Sequence, residues 1–257
     1  MRYPLCYDIA NMEEQKRRVN LPEREIAREP LTLKEMVGAT QERVQEISRE
    51  FTEGFKFLSS FPKTVTYFGS TSFKEGDMYY DKARALAQRI VKELGYAIMT
   101  GGGPGIMEAA NRGAQEAGGE SIGLTIRLPE EQVMNPYLSH HIDFYYFFSR
   151  KVCLTYSAES FLFFPGGFGT LDEFFEIITL RQTHKIQDIP VIAVGVEYWK
   201  NIEKIMRDDF IPRGTITEKD MELFTVTDDD DKVLDIIKNS PVRLAIPYNG
   251  IRVNPVE

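Results

Sequence analysis

From Lys63 onward the chain alternates short apolar runs with amphipathic stretches, and that alternation limits the possible fold more than any other feature. "TVTYFGS" (64–70), "YAIMTGGGPG" (96–105), "SIGLTI" (121–126), "IDFYYF" (142–147), "SFLFF" (160–164), "PVIAVG" (190–195) and "LFTVT" (223–227) read as strands, several running into small-residue loops. Helical periodicity fills 77–94, 106–118, about 149–158, 170–183, 197–210 and 229–239. Strands that are apolar throughout are buried on both faces, as in a parallel sheet covered by helices on each side. The expected fold class is therefore α/β, a doubly wound, mostly parallel sheet with helices on both faces. Residues 127–140, with Pro129 and Pro136, read as a loop, and no internal repeat of 20–50 residues is present.

The N-terminal part differs. Residues 1–30 are polar and charged and read as an arm or linker. A long amphipathic helix follows, with Thr32 and Glu35 spaced as a capping box. Its apolar stripe runs through Met36, Thr40, Val44, Ile47, Phe51, Phe55 and Leu58, and must cover either the main domain or a second subunit. The chain thus divides into residues 1–60, an arm and helix, and residues 61–257, the α/β domain. At 257 residues and 42% hydrophobic content the chain can bury a core without staples. A net charge of −8 argues against a nucleic-acid partner. Two cysteines, Cys6 and Cys153, without metal-ligand spacing suggest a reducing compartment. The opening residues lack the order of a signal peptide and no stretch approaches 18 consecutive apolar residues, so the expectation is a cytoplasmic protein with no membrane partner.

Two strands end in glycine loops that lead into helices, "MTGGGPGIM" (99–107) and "FFPGGFGTL" (163–171). Helix N-termini at the carboxyl ends of parallel strands offer free N–H groups to a phosphate. The pair points to a phosphorylated ligand. Neither loop has the dinucleotide or P-loop pattern, which disfavours a hydride enzyme or an NTPase. Thr170 and Glu173 are spaced as a second capping box; alternatively, Glu173 faces the cradle and works on the ligand. Glu108 and Asn111, early in the helix after the first loop, are candidates for ribose hydroxyls or plain polar surface. His140 and His141 read as loop residues and not as a metal site, and His184 as surface. Within the aspartate run 228–231, Thr227 is expected to cap a helix. "DFYYFF" (143–148) reads as a buried strand with one or two aromatics left for a ligand.

"PGGFGTLDE" (165–173) resembles the PGGxGTxxE signature of the LONELY GUY family, and "GGGPGIMEAAN" (101–111) its other glycine motif. "SRK" (149–151) falls where that family carries an Arg-Lys pair, and "YFGS" (67–70) resembles its first strand and loop. The resemblance covers about 64–240 and leaves the first 60 residues outside. It implies a Rossmann-like fold, a homodimer, no cofactor, and hydrolysis of nucleoside 5′-monophosphates to free base and ribose 5-phosphate. It implies that Arg150 and Glu173 are the catalytic pair. Gly166, Gly167, Gly169 and Thr170 would hold the phosphate, Gly102 and Gly103 would flank the nucleotide, and Ser70 would lie near the first strand end. Lys151, Thr179 and, on a looser match, Glu131 would contact substrate, with Glu130 competing for that last role. The N-terminal helix offers a route to a larger assembly. A lysine-decarboxylase label sometimes attached to the family would need a Schiff-base lysine, and nothing in the sequence singles one out.

Overall fold

The computed structural model describes residues 33–127 and 134–240. Thr32, Glu130 and Glu131 lie outside them, and so do the first capping box and the looser substrate contact. A long helix, α1 (Leu33–Leu58), leads into a sheet of β1 (Thr64–Phe68), β2 (Ala97–Thr100), β3 (Ser121–Ile126), β4 (His140–Phe144), β5 (Ser160–Phe163), β6 (Val191–Ala193) and β7 (Thr225–Val226). Six further helices alternate with the strands: α2 (Met78–Arg89, prolonged by a wide turn to Leu94), α3 (Ile106–Glu116), α4 (Phe147–Tyr156), α5 (Phe168–Gln182), α6 (Val196–Ile205) and α7 (Asp230–Lys238).

All seven strands are parallel, in the order β4-β3-β2-β1-β5-β6-β7. The chain starts at the centre, winds outward to β4, then returns through α4 to lay β5 beside β1 and winds outward the other way. Alternate strand residues feed two separate cores. Leu162, Phe164, Ile192 and Val194 join α2, α3 and α7 on one face. Phe161, Phe163, Val191 and Ala193 join α4, α5 and α6 on the other. The period-2 alternation of a strand thus becomes two buried layers, which is why these runs carry no polar face. This is the Rossmann-like arrangement expected from the sequence.

Three local expectations are corrected. The strand read at 142–147 occupies His140–Phe144 instead. The Glu50 carboxylate accepts the N–H groups of Tyr145 (2.5 Å) and Tyr146 (3.3 Å), which draws them out of the ladder, and Phe147 opens α4. "DFYYFF" is therefore strand, bend and helix start, with Phe147 and Phe148 exposed. His140 and His141 stand on this edge strand, not on a loop, and His140 Nε2 lies 3.0 Å from Glu120. At the aspartate run, Asp229 and not Thr227 caps α7, accepting from the N–H groups of Asp231 and Lys232. A carboxylate is an equally good cap there, and the Thr227 hydroxyl accepts from Asp229 N instead. Asp228 caps a different helix, α6, through the N–H groups of Gly195 and Val196.

Only the second half of α1 is covered by the main domain. Gly54 packs against Cys153 and Phe144, Phe51 lies near Phe148, and Phe55 meets the edge of Tyr156. Val37 and Val44, on the first half, are exposed. Among the described residues no helix is long and apolar enough to cross a membrane.

Candidate active site

The order of the strands reverses between β1 and β5, and in such sheets ligands bind outside the carboxyl ends at the reversal. Three loops meet there. Ser70, after β1, donates its N–H to Pro165 O, while its own carbonyl accepts from Ile106 N, each at 3.0 Å. Ser70 therefore stitches the β5 loop to the start of α3, and its hydroxyl accepts from Ser72 N (3.1 Å).

The β2 loop is held from below. Asn111 is fully buried: its Oδ1 accepts from Thr100 Oγ1 (2.6 Å) and Asn135 Nδ2 (2.9 Å), and its Nδ2 donates to Ser121 Oγ (2.9 Å) and Ile122 O (3.5 Å). Those four bonds exhaust the amide. Asn111 consequently shapes the loop and is not turned toward it. Gly102 N donates to Thr100 Oγ1 (2.8 Å), Gly102 O accepts from Asn135 N (2.9 Å), and Gly103 O accepts from Asn135 Nδ2 (3.0 Å). Glu108, a turn into α3, accepts the Tyr80 hydroxyl at 2.9 Å.

The β5 loop is built differently. Helix α5 begins at Phe168 with Gly167 as its N-cap, and no side chain caps it. Of the two readings of this spacing, the capping box is absent: Thr170 and Glu173 lie inside the helix, because the glycines let it start earlier. The N–H groups of its first turn have no intrahelical partner, and the helix dipole adds partial positive charge. Tyr198 donates its hydroxyl to Gly166 O (2.7 Å). A planar trans peptide then turns the Gly167 N–H away from Tyr198. Thr170 is buried beside Gly166, and Gly169 is exposed on the helix start.

Below this cradle stands Glu173. It is 8% exposed, and its Oε2 is buried without a hydrogen-bond partner. Burial pushes its pKa up to about 7; Lys151 and Arg150 oppose the rise, and Glu176 and Asp172 add to it. Arg150, from α4, is fixed by Nε to Leu124 O (2.7 Å) and by Nη2 to Gly101 O (3.5 Å). Burial lowers its pKa while the Glu173 charge raises it, and no direct ion pair joins the two. Lys151, the next residue, pairs with Asp172 and Glu176 at 2.7 Å each, bracing α4 against α5. Despite partial burial these partners raise its pKa. Thr179 is exposed, six residues beyond Glu173 on another side of α5, and the fold does not bring it to the cradle.

A buried carboxylate with a free oxygen, a fixed guanidinium that it senses electrostatically and an uncapped glycine-rich helix start therefore lie together near the carboxyl ends of the central strands. A family model described as "possible lysine decarboxylase" matches residues 107–237. A cytokinin riboside 5′-monophosphate phosphoribohydrolase of Arabidopsis thaliana is 31% identical over 159 residues, covering 60% of this chain and 69% of that protein. The chain belongs to the LONELY GUY family. An enzyme of the same name from Rhodococcoides fascians is 28% identical over 126 residues, covering 46% of this chain and 61% of its own. Among solved structures, the molybdenum cofactor carrier protein of Chlamydomonas reinhardtii shares the fold, with a TM-score of 0.50 at 20% identity over 68% of this chain and 96% of that one.

Four residues that matter to this LONELY GUY site escaped the sequence reading. Thr100 and Asn135 hold the β2 loop, Tyr198 orients the β5 loop, and Glu50 meets the start of α4. Asn135 sits in a loop without periodicity, and Tyr198 in an ordinary helical pattern. Glu50 precedes Phe51 of the apolar stripe and reads from the sequence as one more charged helix residue.

Proposed function

We propose that this chain hydrolyses the N-glycosidic bond of nucleoside 5′-monophosphates, AMP-like nucleotides and cytokinin riboside monophosphates among them, giving free base and ribose 5-phosphate. The observation that carries this reading is Glu173: a buried carboxylate with an unpartnered oxygen and a pKa near 7, set beneath an uncapped glycine-rich helix start. The names of the family relatives support it.

The chemistry follows from the geometry. The N–H groups from Gly167 to Thr170 bind the 5′-phosphate, which fixes the ribose over Glu173. Cleavage of the C1′–N bond leaves positive charge on the ribose, as in glycoside hydrolysis. The Glu173 carboxylate stabilises that charge and accepts a proton from the water that attacks C1′, and the departing base nitrogen takes up one proton in exchange, so that the base leaves neutral and Glu173 returns to its carboxylate form. A pKa near the working pH suits a general base. Arg150 stays protonated and acts as a fixed charge that orients Glu173 and favours its ionised form. Lys151 does not fit a Schiff-base role: its ion pairs hold it charged, whereas imine formation needs the neutral amine. A homodimer belongs to the same proposal, and light scattering in solution tests it.

The function is tested by incubating the protein and its Glu173→Gln variant with AMP and assaying adenine and ribose 5-phosphate. Release by the wild type and not by the folded variant supports hydrolysis. If no nucleoside monophosphate is cleaved yet AMP raises Tm, the crevice is a binding site only.

A further inference from the structure

The appended helix reaches the catalytic machinery through one side chain. Glu50 is 7% exposed, although it is a carboxylate on a helix surface. It accepts the N–H groups of Tyr145 and Tyr146 and the hydroxyl of Ser149. Those three groups are the entry to α4, and Ser149 directly precedes Arg150. None of α4's own entry residues caps it with a side chain, since Tyr146, at the N-cap, offers no side-chain bond. Glu50 thus does from a distance of about one hundred residues what the N3 Glu of a capping box does locally, accepting the N–H of the N-cap residue, Tyr146. Its negative charge at a helix N-terminus is also the favourable sign.

We propose that Glu50 is a positioning residue for the hydrolysis: by capping α4 from the N-terminal helix it sets where Arg150 stands relative to Glu173. The proposal rests on the catalytic reading above. Apolar contacts flank the cap, with Gly54 against Cys153 and Phe55 on Tyr156, and together they clamp α1 along α4. The α1 side of the clamp, Glu50, Gly54 and Phe55, lies outside the stretch matched by the family model, so the part that caps α4 comes from the N-terminal helix. Removing the carboxylate takes the acceptor away from the Tyr146 N–H and frees the first turn of α4 to shift. Arg150 sits in that turn, and a shift of about 1 Å in a positioned group costs up to ~100-fold in rate.

The test compares wild type, Glu50→Gln, Glu50→Ala, Phe55→Ala and Glu53→Ala in the full chain, below their melting temperatures. Phe55→Ala loosens the same packing without touching the cap, and Glu53 is an exposed neighbour paired with Arg49. Two readouts are taken: kcat and KM with AMP across pH, and the Glu173 carboxyl titration by 13C NMR, which needs no turnover. The charged groups around Glu173 are Arg150 and Lys151 on α4 and Asp172 and Glu176 on its own helix. In Glu50→Ala, kcat is expected to fall about tenfold or more with a smaller change in KM. The Glu173 midpoint moves up, because a displaced Arg150 no longer opposes the rise. Glu50→Gln keeps one acceptor and recovers part of both effects, and Glu53→Ala matches wild type. The proposal is overturned if folded Glu50→Ala keeps the wild-type titration midpoint, or if Phe55→Ala produces the same changes. A wild type that cleaves no nucleotide refutes the hydrolase reading, and the titration alone then decides whether Glu50 positions Arg150.

Discussion

The two glycine loops look alike in sequence and do opposite work. In the β2 loop the glycines serve the protein itself. A Cβ on Gly101 would run into the Arg150 guanidinium, and one on Gly105, where φ is +73°, would run into the Ser70 backbone. In the β5 loop a Cβ on Gly167 or Gly169 would meet no atom of the chain within 4 Å. The first loop is a seat for the Arg150 guanidinium; the second presents bare backbone to open space. A glycine motif therefore says that backbone must be approached closely, and only packing says by what.

That contrast can be broken in order of size. Glu173→Gln, at the floor between the loops, is expected to cut kcat roughly 100- to 10,000-fold. In the wild type, kcat/KM should fall as pH drops through about 7, because the base becomes protonated. The same substitution should stabilise the fold at high pH. A carboxyl whose folded pKa lies above its unfolded value contributes stability below the unfolded pKa and loses it as pH rises through the folded one. The loss is on the order of 3 kcal/mol between pH 4 and 8, and Gln does not undergo it; thermal melts across pH check this.

Gly105→Ala should destabilise by roughly 2–4 kcal/mol in urea titrations, since both the positive φ and the Ser70 backbone oppose a side chain. Gly169→Ala should do the reverse. It lies in the first turn of α5 with open space around it, so alanine should stabilise by about 0.5–1 kcal/mol. Yet KM for AMP should rise about tenfold, as expected for weakening a hydrogen bond to a charged group. An unchanged KM would mean that the β5 loop holds no phosphate. Tyr198→Phe, the smallest change, removes the bond to Gly166 O and should cost about 1 kcal/mol or less in binding, seen as a few-fold rise in KM.

The sheet was legible because its strands are apolar on both faces and its loops are punctuated by glycine and proline. The winding order was not, since periodicity carries no information on which strand lies beside which. The positions around Arg150 and Glu173 were legible through motif spacing, but the roles of their neighbours were not. Asn111 looked like a ligand contact because a polar residue early in a helix usually faces out; here four buried partners claim it. The Thr170–Glu173 spacing fits a cap as well as it fits a ligand-facing carboxylate, and the helix begins three residues sooner than a cap at Thr170 requires. Glu50 lies beside the apolar stripe, next to Phe51, and its meaning depends on a segment about one hundred residues away.

The strand order has a kinetic side. Helix α4 is the crossover that returns the chain from the far edge at β4 to the centre at β5, passing over β3, β2 and β1. Arg150 rides on that crossover, whereas Glu173 belongs to the half that grows after it. Neither half alone contains the pair. The pairing of β5 with β1 that this crossover brings about joins strands far apart in sequence and is a slow, non-local step, so recovery of activity during refolding should lag behind recovery of helix and mark the moment the two halves lock.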